Sequence, residues 1–199
     1  MFRPPRIQRW TLLHASHTPC TERDGRRIPP AHPAVFRLPP ILPLLLSLVS
    51  CAGCTQQDAF FCPNDGCADR LIDEIRASTS TTHVAIAYFS HYDIADALIE
   101  AHARGIDVKV LVEANTDGIN DDVVKRLRSA GVPLLYDSNP NLMHHKFTVV
   151  DGQTVLTGSF NYTYFADTEN NENLVVLTSP RMAGAFEDEF MTLWSSGVE

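Results

Sequence analysis

The chain predicts an α/β fold, a mixed β-sheet with helices packed on its two faces. Two observations lead there. From about residue 68 onward, short β-branched and aromatic runs alternate with stretches of helical periodicity. Two of the strand-like runs also meet at Asp151-Gly152, a strong hairpin signal. Taken in order, residues 68–77 place Leu71, Ile72 and Ile75 on one helical face, and 83–89 read as a buried strand. A helix over 93–104 carries Ile94, Ala97, Leu98 and Ala101 at core spacing and stops at Gly105. Residues 108–112 form a strand, 121–130 a helix ended by Gly131, and 133–136 a short strand. A loop over 137–141, with Pro140 in it, leads into the hairpin of 147–150 and 154–156. A strand at 174–177 and a closing helix over 182–194 complete the series, with no internal repeat.

The chain has 199 residues, 44% of them hydrophobic, as suits one globular domain behind a leader. Residues 1–40 are rich in Pro and Arg and lack apolar periodicity. Residues 41–50 are an apolar run of signal-peptide length, preceded by Arg37 and too short to span a bilayer comfortably. Leu48-Val49-Ser50-Cys51 looks like a bacterial lipobox, which makes Cys51 the expected lipidation site, with Cys54 the alternative. The long leader also fits a true start near Val35. The expected organisation is a leader and signal region over 1–50, a short tether over 51–57 and a catalytic domain over 58–199. The expected location is the bacterial cell envelope or periplasm, held to the membrane by the lipid. All five cysteines precede residue 68, and Cys62 and Cys67 flank a Pro63-Asn64-Asp65-Gly66 turn that brings them within reach of a disulfide.

The chemistry concentrates in His144-His145-Lys146 through Asp151, followed by Gly158-Ser159-Phe160-Asn161. The pattern is H-x-K-x4-D-x6-G-S-x-N. At roughly one chance in twenty per fixed position, a random chain of this size shows it on the order of a few times in a million. If Asp151 and Gly152 alone form the loop, Val150 pairs with Gln153, Lys146 faces Thr157 and His144 faces Ser159. Strand alternation then gathers His144, Lys146, Ser159 and Asn161 on one face and turns His145 to the other. Asp151 sits in the turn, where its carboxylate organises the backbone. The adjacent His144 and His145 point to opposite faces and cannot easily share an ion, so no metal and no cofactor is expected. Tyr88, Phe89 and His91 read as core and rim.

These residues resemble the signature of the phospholipase D superfamily, and the chain is similar to its single-motif, nuclease-like and cardiolipin-hydrolase-like branch over residues 58–196. The resemblance implies the phospholipase D-like fold and a metal-independent mechanism. His144 attacks phosphorus to form a phosphohistidine, and a second histidine protonates the leaving alcohol and then activates water. Lys146, Ser159 and Asn161 hold the non-bridging oxygens, while Asp151 and Gly158 are structural. The resemblance further implies that Glu172, in Asn170-Asn171-Glu172-Asn173, hydrogen-bonds one nitrogen of His144. One motif per chain implies a homodimer that joins two copies at a two-fold axis.

Charge bears on the substrate. From Cys51 onward there are nine Lys and Arg against twenty-two Asp and Glu, a net of −13. Nucleic-acid binding draws on phosphate neutralisation, so this composition favours a phospholipid as the phosphodiester substrate. A non-specific endonuclease acting on DNA or RNA is the alternative, and a catalytically silent envelope lipoprotein is the third. Lys125, Arg126 and Arg128 are the one basic cluster of the domain.

Overall fold

The computed structural model describes residues 56–199. The leader and the lipidation candidates Cys51 and Cys54 lie outside the described residues. The elements run β1 (Gln56–Cys62), α1 (Cys67–Ala77), β2 (Thr81–Ile86), α2 (Tyr92–Ala103), β3 (Asp107–Val112) and α3 (Asp121–Ser129). They continue as β4 (Leu134–Tyr136), β5 (Lys146–Val150), β6 (Thr154–Gly158), α4 (Tyr164–Thr168), β7 (Glu172–Thr178) and α5 (Pro180–Ser196).

The seven strands form one mixed sheet in the order β1-β7-β6-β5-β2-β3-β4. β2, β3 and β4 are parallel, joined through helices; β5, β6, β7 and β1 are antiparallel. This follows from connection length, since a crossover helix returns a strand in parallel and a tight turn reverses it. One face packs Val84, Ile86, Val110 and Leu156 against Leu71, Ile75, Ile94, Leu98 and Leu127 of α1, α2 and α3. The other packs Ala85, Phe147, Val149 and Val155 against Ala183 and Phe190 of α5. The result is the expected α/β/α sandwich. Among the described residues no helix is long and apolar enough to cross a membrane.

Two elements go beyond the sequence expectation. β1 begins at Gln56, inside the stretch read as a tether. It is an edge strand, mostly exposed except at Cys62, and so carries little hydrophobic pattern. α4 is a single short helix whose N-cap, Thr163, accepts a hydrogen bond from the Ala166 amide. Cys62 and Cys67 are joined in a disulfide that ties the end of β1 to the start of α1.

The hairpin register needs correction. Val150 opposes Thr154, not Gln153, and Phe147, not Lys146, opposes Thr157. Asp151 and Gly152 do adopt the left-handed conformation of a two-residue turn, at φ 55 and φ 59, and the Gln153 amide donates to the Val150 carbonyl. Gln153 then bulges out of the ladder, and its carbonyl accepts from the Ser179 amide at 2.8 Å. The shift of one residue keeps Phe147, Val149 and Val155 together under α5; the expected register would have set Val155 beside Thr148 on the opposite face. His144 also precedes β5, so the expected pairing of His144 with Ser159 does not occur.

Candidate active site

Antiparallel pairing brings four strand termini to one end of the sheet. The C-terminal end of β2 meets the start of β5 (Ile86 with Lys146), and the end of β6 meets the start of β7 (Gly158 with Leu174). Glu172 closes the row opposite Cys62. The motif residues other than Asp151 therefore collect at this end, though by a route different from a shared strand face.

His144 sits in the irregular segment before β5 and is exposed. Its position is set by its neighbours. The Met143 amide donates to Glu113 Oε2 at 2.6 Å, and the Ala87 amide donates to the His145 carbonyl at 3.0 Å. Glu113 is 1% exposed, and its other oxygen accepts from the Asn115 amide. Asn120, equally buried, accepts from the Phe89 amide and donates to the carbonyls of Ala87 and Glu113. Glu113 and Asn120 thus fix the backbone that presents His144, and sequence reasoning missed both. The available signal was an acidic residue directly after the apolar run of β3. His145 points the other way, as expected, and contacts Glu189 of α5.

Lys146 is 9% exposed, and its ammonium donates to the His144 carbonyl at 3.1 Å. Burial pushes its pKa down, and the charge of Glu172 opposes the shift. The Ser159 hydroxyl donates to Glu172 and accepts from the backbone and side-chain nitrogens of Asn173. Glu172 also accepts from Asn170 Nδ2 at 3.3 Å. It makes no hydrogen bond to the His144 ring, where one was expected; its side-chain partners are these two groups. Gly158 lies where a Cβ would stand 2.2 Å from the Asn173 carbonyl, so only glycine lets β6 approach β7 at this point.

The Asn161 side-chain oxygen is buried without a hydrogen-bond partner. An unpaired buried acceptor costs free energy, which a bound donor would recover. Asn161 also lines an open trough of about 490 Å³, together with Tyr88, Ser90, Ile119, Thr163 and Phe165. No charged residue lines it, and Phe165 and Ile119 are exposed.

Asp151 lies at the opposite end of the hairpin. Its carboxylate accepts from the amides of Thr79, Ser80 and Thr81 and from the hydroxyls of Thr79 and Ser80. Burial would raise its pKa, but these bonds prevail and hold it down at about 2. The basic cluster is already engaged: Arg126 pairs with Asp96, Lys125 approaches Asp122 at 3.7 Å, and Arg128 lies over the Tyr136 ring.

The family model described as the PLD-like domain of cardiolipin synthase matches residues 71–194. The chain is 31% identical over 142 residues to a mitochondrial cardiolipin hydrolase of Chlamydomonas reinhardtii, covering 71% of this chain but 64% of that protein. It is also 31% identical to the mitochondrial cardiolipin hydrolase of Xenopus tropicalis, over 86% of this chain and 80% of the relative. Among solved structures, the phospholipase D family member Nuc from Salmonella typhimurium superposes with a TM-score of 0.69 at 31% identity, covering 72% of this chain and 96% of Nuc. With every motif residue except Asp151 gathered at one end of a matching sheet, the chain belongs to the phospholipase D superfamily.

Proposed function

We propose that the domain hydrolyses phosphodiester bonds by covalent catalysis and that its substrate is a phospholipid. The observation that carries the lipid reading is the uncharged trough against Asn161, with Phe165 and Ile119 open to solvent. It suits an acyl chain, whereas a polynucleotide backbone needs cations, and the three in the basic cluster already have partners on the domain. The cardiolipin hydrolases among the relatives support the same reading.

In this mechanism a ring nitrogen of His144 attacks phosphorus, and the bond to the leaving alcohol breaks. A second imidazolium gives that oxygen its proton. The resulting neutral imidazole then takes a proton from water, which attacks phosphorus and breaks the P–N bond. Lys146 and the Asn161 amide nitrogen hold the non-bridging oxygens, Glu172 supports the charge on Lys146, and the Ser159 hydroxyl joins them when its one proton turns from Glu172 to the phosphate. The second imidazole comes from another copy of the chain across a two-fold axis. Among the described residues of one chain, His83 and His91 are buried, His145 faces α5 and His102 lies in the last turn of α2 beside Gly131. Export and lipidation at Cys51 complete the proposal. Fatty-acid labelling should mark the wild type and fail for Cys51→Ala; label that follows Cys54 instead would move the anchor, and label indifferent to both would remove it.

The test offers the full chain phosphatidylcholine vesicles, cardiolipin vesicles, single-stranded DNA, RNA and the small soluble diester bis(p-nitrophenyl) phosphate, with EDTA present. Hydrolysis of lipid and of the soluble diester is expected. Phe165→Ser should lower lipid turnover roughly tenfold and leave the soluble diester nearly untouched, as expected for about 1–2 kcal/mol of lost apolar contact. Cleavage of DNA or RNA with lipids intact would establish the nuclease reading. Loss of all activity in EDTA, restored by a divalent ion, would overturn the covalent mechanism.

A further inference from the structure

A second cleft, of about 670 Å³, opens on the helical side of the same sheet end. Three elements supply its acids: Asp69 and Asp73 from α1, Asp93, Asp96 and Glu100 from α2, and Asp167 from α4. Arg76 pairs with Glu100, and Arg126 takes Asp96. Arg76 also lines the cleft and its charge acts on Asp73 and Asp93, and Asp167 Oδ1 accepts from the Ala68 amide at 3.0 Å, but among the described residues none of Asp69, Asp73, Asp93 and Asp167 forms an ion pair with a Lys or Arg. Acids in the first turn of a helix are common because they balance its dipole, which accounts for Asp69 and Asp93. It does not account for Asp73, in the second turn, or for His91.

His91 lines this cleft and is 3% exposed, yet its Nδ1 has no hydrogen-bond partner. Asp93 Oδ2 stands 4.0 Å from Nδ1 and Asp167 Oδ2 stands 3.9 Å from Nε2, both beyond good hydrogen-bonding distance. The ring stacks on Tyr164 with centroids 3.9 Å apart, and Tyr164, itself 40% exposed, lines the cleft as well. Burial lowers the His91 pKa against the pull of Asp167, Asp93 and Asp69, which leaves a neutral ring with an acceptor nitrogen. The cleft thus offers acceptors and an aromatic surface, and the one Lys or Arg in its lining, Arg76, is paired with Glu100.

We infer that this cleft binds a small, extended organic polycation of the linear polyamine class. A single metal ion does not suit it. The two nitrogens of His91 face different carboxylates, and among the described residues no three His, Cys, Asp or Glu side chains are grouped to hold an ion. Separated ammonium groups on a flexible chain match the dispersed acids and gain a cation–π contact on Tyr164, and a turn of the His91 ring toward the cleft gives its unpartnered nitrogen a donor. The volume is that of a small-molecule site. The cleft is distinct from the trough beside Asn161. Ser90 and Thr163 line the trough while their neighbours His91 and Tyr164 line the cleft, so one thickness of backbone separates the two.

The test titrates spermidine into the full chain by calorimetry, with histidine ring carbons labelled for NMR. Saturable binding that shifts the His91 signal is expected. Asp93→Asn, at an exposed carboxylate, and His91→Phe, which keeps the stack but removes both nitrogens, should each weaken binding about tenfold or more. Thermal melts establish that Asp93→Asn is folded, so a poorly folded His91→Phe does not remove the test. Absence of saturable binding, equal binding by wild type and Asp93→Asn, or a His91 shift produced by Mg²⁺ or Mn²⁺ but not by spermidine would each overturn the proposal.

Discussion

The motif hairpin has two ends, and they are built on opposite principles. At the Asp151 end the carboxylate accepts from three amides and two hydroxyls of the segment entering β2, and its pKa is held low. At the Lys146 end an imidazole is exposed, an amide oxygen is buried without a partner, and an ammonium is desolvated. Five strand steps of about 3.4 Å put the two ends roughly 17 Å apart, too far for Asp151 to touch the chemistry. One motif therefore encodes an anchor and a reactive site. The anchor is saturated with bonds; the other end keeps an exposed imidazole and an amide oxygen without a hydrogen-bond partner.

The largest effect should come from the reactive end. His144→Asn should reduce phosphodiester turnover by on the order of 10⁴-fold or more while leaving the melting temperature nearly unchanged, because the side chain is exposed. Equal mixing of wild-type and His144→Asn subunits, with exchange verified, should leave activity near the roughly one quarter of dimers that are wholly wild type. Activity near one half would mean that each chain works alone.

The anchor should answer in stability. Asp151→Ala should cost about 1–3 kcal/mol in denaturant unfolding through its lost charge-assisted bonds, while activity per folded molecule persists. The folded pKa is depressed, so the stabilisation from Asp151 is present above its unfolded value near 4 and is lost as pH falls toward about 2. Wild-type stability should decline across that window more steeply than that of Asp151→Asn. Equal slopes would remove the carboxylate from the anchor, and lost catalysis with intact stability would erase the contrast between the two ends.

The smallest effect falls on a neighbour of the reactive end. Glu172→Gln keeps the size of the side chain and much of its hydrogen bonding to Ser159, but it removes the charge that holds up Lys146. Turnover should fall about tenfold, with the alkaline limb of the pH–rate profile displaced to lower pH and the melting temperature unchanged. An unaltered profile would take Glu172 out of the electrostatics of the site.

Much of this was legible in the chain because it rests on local signals. Helix periodicity located α1, α2, α3 and α5, and the spacing of the motif identified its members. What escaped depends on partners distant in sequence. The bulge at Gln153 is set by an amide in the turn after β7, and β1 has no inward pattern because it is an edge. Glu113 and Asn120 act through backbone contacts that no periodicity announces. Glu172 opens β7 at the site end of the sheet, as the resemblance implies, but its immediate partner is Ser159.

β1 has a further consequence for how an anchored molecule would work. It enters the sheet at Gln56, in the row of Thr178, Thr154 and Val150, and leaves at Cys62 beside Glu172. A lipid on Cys51 would attach five residues before Gln56, a leash of at most about 18 Å. The leash would fasten to the anchor end, and the length of β1 would carry the reactive end roughly 20 Å further on. A domain standing upright on this leash would present its site away from its own bilayer. If a lipid on Cys51 held it, the domain would have to lie down to work on that membrane, with the strand axis nearly parallel to the lipid surface.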